Sequence, residues 1–239
     1  MRNKIKQYLN FFLNNTQLYL QTKEIEWAHI YSDSIRGKKY LQSLPINVGR
    51  WAGNYSFFYI LNRILNDYKP KNILDLGLGE SSKFISTYLD NYLIESKHTI
   101  VEQDQNWITA FNDKFTLSSR SKIIYCELRE KHIKGHNVNY YNGFSDKIKD
   151  NFDLYIVDGP FGSDRYSRYD IVDLVENFSF DKEFIIIMDD SDRQGEQDTI
   201  NDILNILRSK GVIFYIGAYT GNKQNTIIAS EKYKFATSF

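Results

Sequence analysis

Residues 75–82 run Asp75-Leu76-Gly77-Leu78-Gly79-Glu80-Ser81-Ser82, and the fold turns on what stands on either side of them. Upstream, Asn72–Leu76 is a short apolar run preceded by Pro70, with the length and composition of a buried strand. Downstream, residues 82–92 place Phe84, Ile85, Tyr88 and Leu89 on one face of a helix. Glycines between a strand and a helix let the chain turn tightly, and they let a ligand approach main-chain atoms that a Cβ would screen. The helix start offers unpaired N–H groups, with Ser81 or Ser82 as cap. Glu102 closes the next apolar run, 23 residues beyond Gly79, where a carboxylate can accept from ribose hydroxyls. A lone G-x-G predicts only a tight turn. The conjunction of strand, glycine turn, helix, second strand and terminal acid predicts a ligand site.

The same rhythm continues outward. Apolar runs at Asn72–Leu76, Thr99–Val101, Lys122–Cys126, Leu154–Val157 and Phe184–Met188 alternate with helical patterns such as 82–92, 170–178 and 195–209, the signature of a parallel sheet built from βα units. Val212–Tyr219 and Asn225–Tyr233 are both strand-like and are separated only by a short turn around Thr220–Lys223. Strands joined so closely pair antiparallel, because a parallel crossover needs a dozen or more residues. The expected fold is therefore α/β: doubly wound, mostly parallel, seven-stranded, with a C-terminal antiparallel strand pair and helices on both faces. Residues 54–68 place Phe57, Phe58, Leu61, Ile64 and Leu65 at helical spacing before Pro70.

Composition narrows the function classes. The chain has 239 residues, with 30 Lys plus Arg against 30 Asp plus Glu, so no global field draws it to nucleic acid or to an anionic membrane. No nucleic-acid partner is expected. Cys126 is the single cysteine, which excludes an intramolecular disulfide and a Cys-based metal cluster within one chain and suits a reducing cytoplasm. The apolar patch Tyr8–Leu13, interrupted by Asn10, is too short and polar to span a membrane, and no small-residue cleavage site follows it. It is expected to pack on the domain or on a partner. A soluble cytoplasmic protein is the expectation.

The acid-x-Gly-x-Gly turn, the acid ending the second strand and the antiparallel finish resemble the class I S-adenosylmethionine (SAM)-dependent methyltransferases, which are Rossmann-like. A dinucleotide fold would prefer a third glycine where Ser82 stands, and a carboxylate at the mouth would repel a pyrophosphate. The serines after Gly79 and the Glu102-x-Asp104-x-x-Trp107 pattern look like a subgroup of that superfamily. The resemblance covers roughly residues 50–235 and implies a SAM-binding domain over 51–239; ahead of it, the polar, mostly helical residues rich in Tyr, Asn and Gln read as an N-terminal extension or lid over 1–50. It implies that Asp75, Gly77, Gly79 and Ser81 surround the methionine part, with Asp75 facing its cationic groups, and that Glu102 holds the ribose. The adenine would lie near Cys126–Leu128, with Glu127 as acceptor or as a solvated surface acid. Trp107 is expected to pack its own helix.

Ligands of parallel α/β sheets bind at the carboxyl ends of the strands, where Asp158 ends the fourth parallel run and Asp189-Asp190 the fifth. These acids are similar in position to the ligands of divalent-metal catechol-type O-methyltransferases, with Asp190 in place of an Asn. By that resemblance Asp158, Asp189 and Asp190 are candidates both for catalysis and for binding Mg²⁺ or another divalent cation. Phe161 stands where those enzymes carry a lysine base. The alternative is that the acids cap helices and pair with arginines. Arg165 and Arg168, on a loop rich in Gly, Arg and Tyr, are candidates to hold an anionic substrate group or to pair with the acids, and Trp51 and Tyr55 are candidates to stack on a sugar or aromatic ring. His29, His98, His132 and His136 show no metal spacing and are expected at the surface. The reading is a SAM-dependent O-methyltransferase acting on a hydroxyl of a small or carbohydrate-type substrate. Aminopropyl transfer on the same fold and a non-catalytic SAM-binding module are the alternatives.

Overall fold

The computed structural model describes residues 5–6 and 16–239; the apolar patch Tyr8–Leu13 lies outside them. From residue 16 onward the described chain runs through helices α1 (Gln17–Ser34), α2 (Lys39–Gln42) and α3 (Tyr55–Asp67), followed by β1 (Asn72–Leu76), α4 (Glu80–Asn91), β2 (Lys97–Glu102), α5 (Gln105–Asn112) and β3 (Ser121–Tyr125). A hairpin of β4 (Leu128–Ile133) and β5 (His136–Tyr141) precedes α6 (Phe144–Lys147) and β6 (Leu154–Val157). The remainder is α7 (Asp170–Val175), β7 (Ile185–Met188), α8 (Gln194–Ser209), β8 (Phe214–Thr220), β9 (Gln224–Ser230) and a 3₁₀ segment, Glu231–Thr237.

Seven strands form one sheet in the order β3-β2-β1-β6-β7-β9-β8. The first five are parallel, and β9 pairs antiparallel with both β7 and β8. The order reverses between β1 and β6, so their carboxyl ends open a crevice at the switch point. Because strand side chains alternate, Ile73, Ile156, Ile187 and Ile227 face one layer with α1, α3 and α4, while Leu74, Val157, Ile186 and Ile228 face the other with α7 and α8. Both faces are covered, as a parallel sheet requires.

Helix α3 shows how these elements are held. Phe57, Phe58, Ile60, Leu61, Ile64 and Leu65 are fully buried, each worth about 1.5–3 kcal/mol relative to exposure. Its cap, Asn54, accepts from the Phe57 N–H at 3.1 Å and from Asn225 Nδ2 at 2.8 Å, tying the helix start to β9. Tyr31 and Ile35 belong to the same apolar cluster, so α1 and its C-terminal cap are packed into the domain core.

The structure departs from the sequence expectation in three places. The hairpin β4–β5 was not anticipated, because most of Leu128–Ile133 is exposed and polar and lacks strand-like apolar alternation. Its turn, Lys134-Gly135, has φ of 48° and 90°, as a tight two-residue hairpin turn requires. The last strand stops at Ser230, and Tyr233 lies in the 3₁₀ segment. His98 is buried in β2, with Nδ1 3.2 Å from Ser121 Oγ and Nε2 3.5 Å from Asp75 Oδ2, so its assignment to the surface is corrected. Among the described residues, no helix is long and apolar enough to cross a membrane.

Candidate active site

The switch point opens into a cleft of about 1040 Å³, walled by the glycine turn, the ends of β2 and β6, residues 46–53 and Lys223. Gly77 has φ of +109°, so a side chain there would be strained, although its Cβ would stand at an ordinary contact distance of 3.4 Å from the Gly159 backbone nitrogen. Gly79 differs: a Cβ added to it would meet nothing within 4 Å, because it faces the cleft. Its N–H donates to Ser82 Oγ at 3.2 Å. Ser81 also borders the cleft.

Asp75 stands beneath this turn, not at its mouth. Its fully buried carboxylate accepts on Oδ2 from Ser82 Oγ at 2.7 Å and Ser81 Oγ at 3.1 Å, with His98 Nε2 3.5 Å from the same oxygen. The expectation that Asp75 faces a ligand cation is corrected on that ground, since the serine hydroxyls stand against its carboxylate and it takes no part in the cleft wall. Asp75 builds the turn.

Glu102 does border the cleft. Its Oε1 accepts from the Gln103 and Asp104 N–H groups at 2.7 and 2.8 Å, and Oε2 accepts from the Leu78 N–H at 2.9 Å. A carboxylate has about four acceptor positions, so one on Oε2 remains. Burial raises the Glu102 pKa, and the three N–H groups work against that rise. Trp107 donates from Nε1 to the Leu78 carbonyl at 2.7 Å and packs edge-on against Phe111, so it both packs its helix and forms cleft wall.

At the opposite wall, oxygens of Asp158, Asp189 and Asp190 lie within 4.8 Å of one another. Basic groups thread the cluster. Arg168, 4% exposed, sets Nη2 3.1 Å from Asp158 Oδ1 and 2.9 Å from Asp190 Oδ2, and donates from Nη1 to the Asp189 carbonyl at 2.8 Å. Its Nε lies 3.5 Å from Glu196. Lys223 Nζ lies 3.3 Å from Asp189 Oδ2 and 3.1 Å from Asp190 Oδ1, and Arg193 reaches Asp190 at 3.0 Å. Arg168 and Asp190 both have left-handed backbones, with φ of 57° and 54°. Such strain persists only where surrounding contacts over-determine it.

Electrostatics separates the three acids. Burial, then Asp189, pushes Asp158 well above the carboxylate range, with Arg168 and Lys223 opposing. Burial also raises Asp189, against the pull of Lys223. For Asp190 burial acts upward too, but Arg168, Lys223 and Arg193 outweigh it and hold the pKa low. The Asp158 side chain is 21% exposed and borders the cleft, whereas that of Asp189 is sealed.

The remaining candidates divide. Trp51, 90% exposed, stands on the cleft wall. Tyr55 packs against Tyr31 and its N–H donates to Glu24, away from the cleft. Arg165 is held by Asp198 of α8 at 2.5 Å. Glu127 pairs with Arg129 at the surface. Tyr55, Arg165 and Glu127 thus do not line the cleft, and Glu127 and Arg165 take the alternatives of a surface acid and an acid-paired arginine. Asn139 of the hairpin donates to the Phe161 carbonyl at 3.0 Å and to that of Gly162 at 3.2 Å, buttressing the loop that carries Arg168. Lys223, Gln103 and Glu196 escaped the sequence reading. Gln103 is a variable position of the Glu102-x-Asp104-x-x-Trp107 pattern, Glu196 and Lys223 lie in no motif, and what brings Lys223 to the acids is the antiparallel return of β9 beside β7.

No protein-family model matches the chain, and no curated protein matches it in sequence. Solved structures with a similar fold include the methyltransferase PaMTH1 of Podospora anserina with SAH bound, at 11% identity, covering 97% of each chain with a TM-score of 0.45. A candidate O-methyltransferase from Klebsiella pneumoniae is 10% identical over 84% of this chain and 89% of its own, with a TM-score of 0.48. Spermidine synthase from Thermotoga maritima is 15% identical over 68% of this chain and 54% of its own, with a TM-score of 0.39. The chain's own strand order, with five parallel strands followed by a C-terminal antiparallel pair of which β9 alone runs against the rest, is that of a doubly wound, Rossmann-like fold.

Proposed function

We propose that the chain is a SAM-dependent methyltransferase acting on a hydroxyl of a small or carbohydrate-type acceptor. The carrying observation is one cleft with two unlike ends: an open glycine turn beside Glu102, and a half-open carboxylate, Asp158, across from it. Gly79 leaves room for the methionine part of the cofactor against the start of α4, and the spare acceptor position of Glu102 takes one ribose hydroxyl. Gln103, Asp104 and Trp107 offer the adenine a wall, in place of the Cys126–Leu128 position. Trp51 gives an acceptor ring or sugar face a surface to stack on.

Methyl transfer needs mainly approximation, with acceptor oxygen, methyl carbon and sulfur in line. Asp158 is the base of this reading. Its raised pKa suits proton uptake from a hydroxyl as the O–C bond forms and the C–S bond breaks, leaving a neutral thioether. Asp189 and Asp190 hold Lys223 and Arg168 in place.

Metal assistance fits this donor set poorly. Mg²⁺ demands near-octahedral oxygen ligands at about 2.0–2.1 Å, and an ammonium and a guanidinium already stand among these oxygens. Aminopropyl transfer would draw on the same acids to bind an amine, but Asp189 is sealed, and Asp190, though on the cleft wall, is nearly buried and already paired with Arg168, Arg193 and Lys223.

Calorimetry with SAM and with S-adenosylhomocysteine tests the reading. Both are expected to bind one per chain, and methyl-labelled SAM is expected to mark hydroxyl acceptors and not amines. Failure of either adenosyl compound to bind would overturn it.

A further inference from the structure

We propose that Lys223 is a cation tethered by the chain itself, set where the acid cluster would otherwise hold a divalent ion. An ammonium has three N–H donors. Each points to an oxygen: Asp190 Oδ1 at 3.1 Å, Asp189 Oδ2 at 3.3 Å and the Ala52 carbonyl at 3.1 Å. The group therefore sits as a capping cation over an oxygen tripod, with no donor left for a substrate. It contributes charge and position.

The local charge explains why a cation belongs there. Asp158, Asp189, Asp190 and Glu196 are four acids facing three bases, Arg168, Arg193 and Lys223. Without Lys223 the same oxygens would repel one another in a buried wall, a condition that recruits a proton or a metal.

The position is built from the far side of the domain. Lys223 lies in the turn between β8 and β9, where the Gly221 N–H donates to the Lys223 carbonyl at 2.9 Å. Glu24 of α1 accepts from the Asn222 N–H at 2.8 Å, from Asn54 Nδ2 at 2.9 Å and from the Tyr55 N–H at 2.8 Å. Trp27 adds a bond from Nε1 to the Thr220 carbonyl at 3.0 Å. Helix α1 thus pins the turn and the start of α3 together. Lys223, through Ala52, connects the segment bearing Trp51 to the acids. A free metal ion would give the acids charge but would be neither anchored covalently in the β8–β9 turn nor hydrogen-bonded as a donor to the Ala52 carbonyl.

The inference deepens the methyl-transfer reading and rests on it for its catalytic meaning, yet it is tested without SAM, so the two can fail separately. The probe is Mn²⁺ alone, added to the full chain and followed by calorimetry, by the electron paramagnetic resonance of the ion and by thermal melting. The unaltered protein is expected to melt at the same temperature in chelator and in Mn²⁺, and to leave the Mn²⁺ signal that of the free ion. Lys223→Ala is expected to gain one Mn²⁺ site, at least about tenfold tighter than any site in the unaltered chain, and to melt higher with the ion than without. Asp190→Asn on that background is expected to abolish the gain. If Lys223→Ala folds only when Mn²⁺ or methylammonium is supplied, the inference also stands. One Mn²⁺ bound by the unaltered chain and lost with Asp190→Asn would overturn it. So would a Lys223→Ala protein that takes up neither ion, or that neither ion helps to fold.

Discussion

The two walls of the cleft are made in opposite ways. On the β1–β2 side the wall is set by backbone: Gly77 and Gly79 present no side chain, and Glu102 is fixed by three main-chain N–H groups, all from the glycine turn and the two residues after β2. Across the cleft, charged side chains form the wall, drawn from the ends of β6 and β7, the Arg168 loop and the β8–β9 turn. A backbone wall is specified by a short run of sequence and is stable with or without ligand. A wall of buried charges exists only while every partner is present.

The largest expected effect falls on the backbone wall and should leave stability alone. Gly79→Val places a branched side chain in the open space that the cofactor needs, and its Cβ meets no protein atom within 4 Å. Calorimetry should find no SAM binding, a loss of about three decades or more, which is about 4 kcal/mol. The urea midpoint should stay close to that of the unaltered protein. Retained binding would move the cofactor off this wall.

On the charged wall the response should be reversed in kind. Arg168→Met removes a buried cation that touches Asp158, Asp190 and Glu196, with Asp189 close behind. Leaving such charges uncompensated costs about 3–5 kcal/mol, and urea unfolding should show a loss of that size. A loss below about 1 kcal/mol would mean that the acids reach solvent or neutralise one another by sharing protons, and the contrast between the walls would fail.

The same difference explains what could be read from the sequence. The five parallel strands, the glycine turn and the acid ending β2 follow from local periodicity and spacing, and in the structure the five strands pair parallel side by side. The antiparallel finish followed from the shortness of one turn. Lys223 was not legible, because its meeting with Asp189 and Asp190 is a contact across 33 or more residues of chain, fixed only when β9 returns beside β7. Asp75 was misplaced for a related reason. An acid just before a glycine turn can point up at a ligand or down at its own serines, and the buried His98 behind it goes with the second choice. Arg165 and Arg168 look equivalent in the sequence. Asp198 holds the first outward, and the left-handed backbone of the second aims it into the core.

The smallest effect, and the sharpest test of the backbone wall, is Glu102→Gln. Glutamine keeps the shape but offers one acceptor oxygen, so an NH₂ group must face either the Leu78 N–H or those of Gln103 and Asp104. The charge-assisted bond to the ribose is lost, worth about 1.5–3 kcal/mol, and Kd should rise by about one to two decades. The pH profile distinguishes this from a general loosening of the turn. Burial raises the Glu102 pKa in the folded protein, so its contribution to stability is fully present below the unfolded value of about 4.3 and is lost as pH rises through the folded one. SAM affinity should run the other way, falling on the acid side as Glu102 takes up a proton and gives up an acceptor position. In Glu102→Gln both slopes should flatten together over that window. A variant with weakened binding but an unchanged acid-side slope would assign the titration to another group and the ribose to another acceptor.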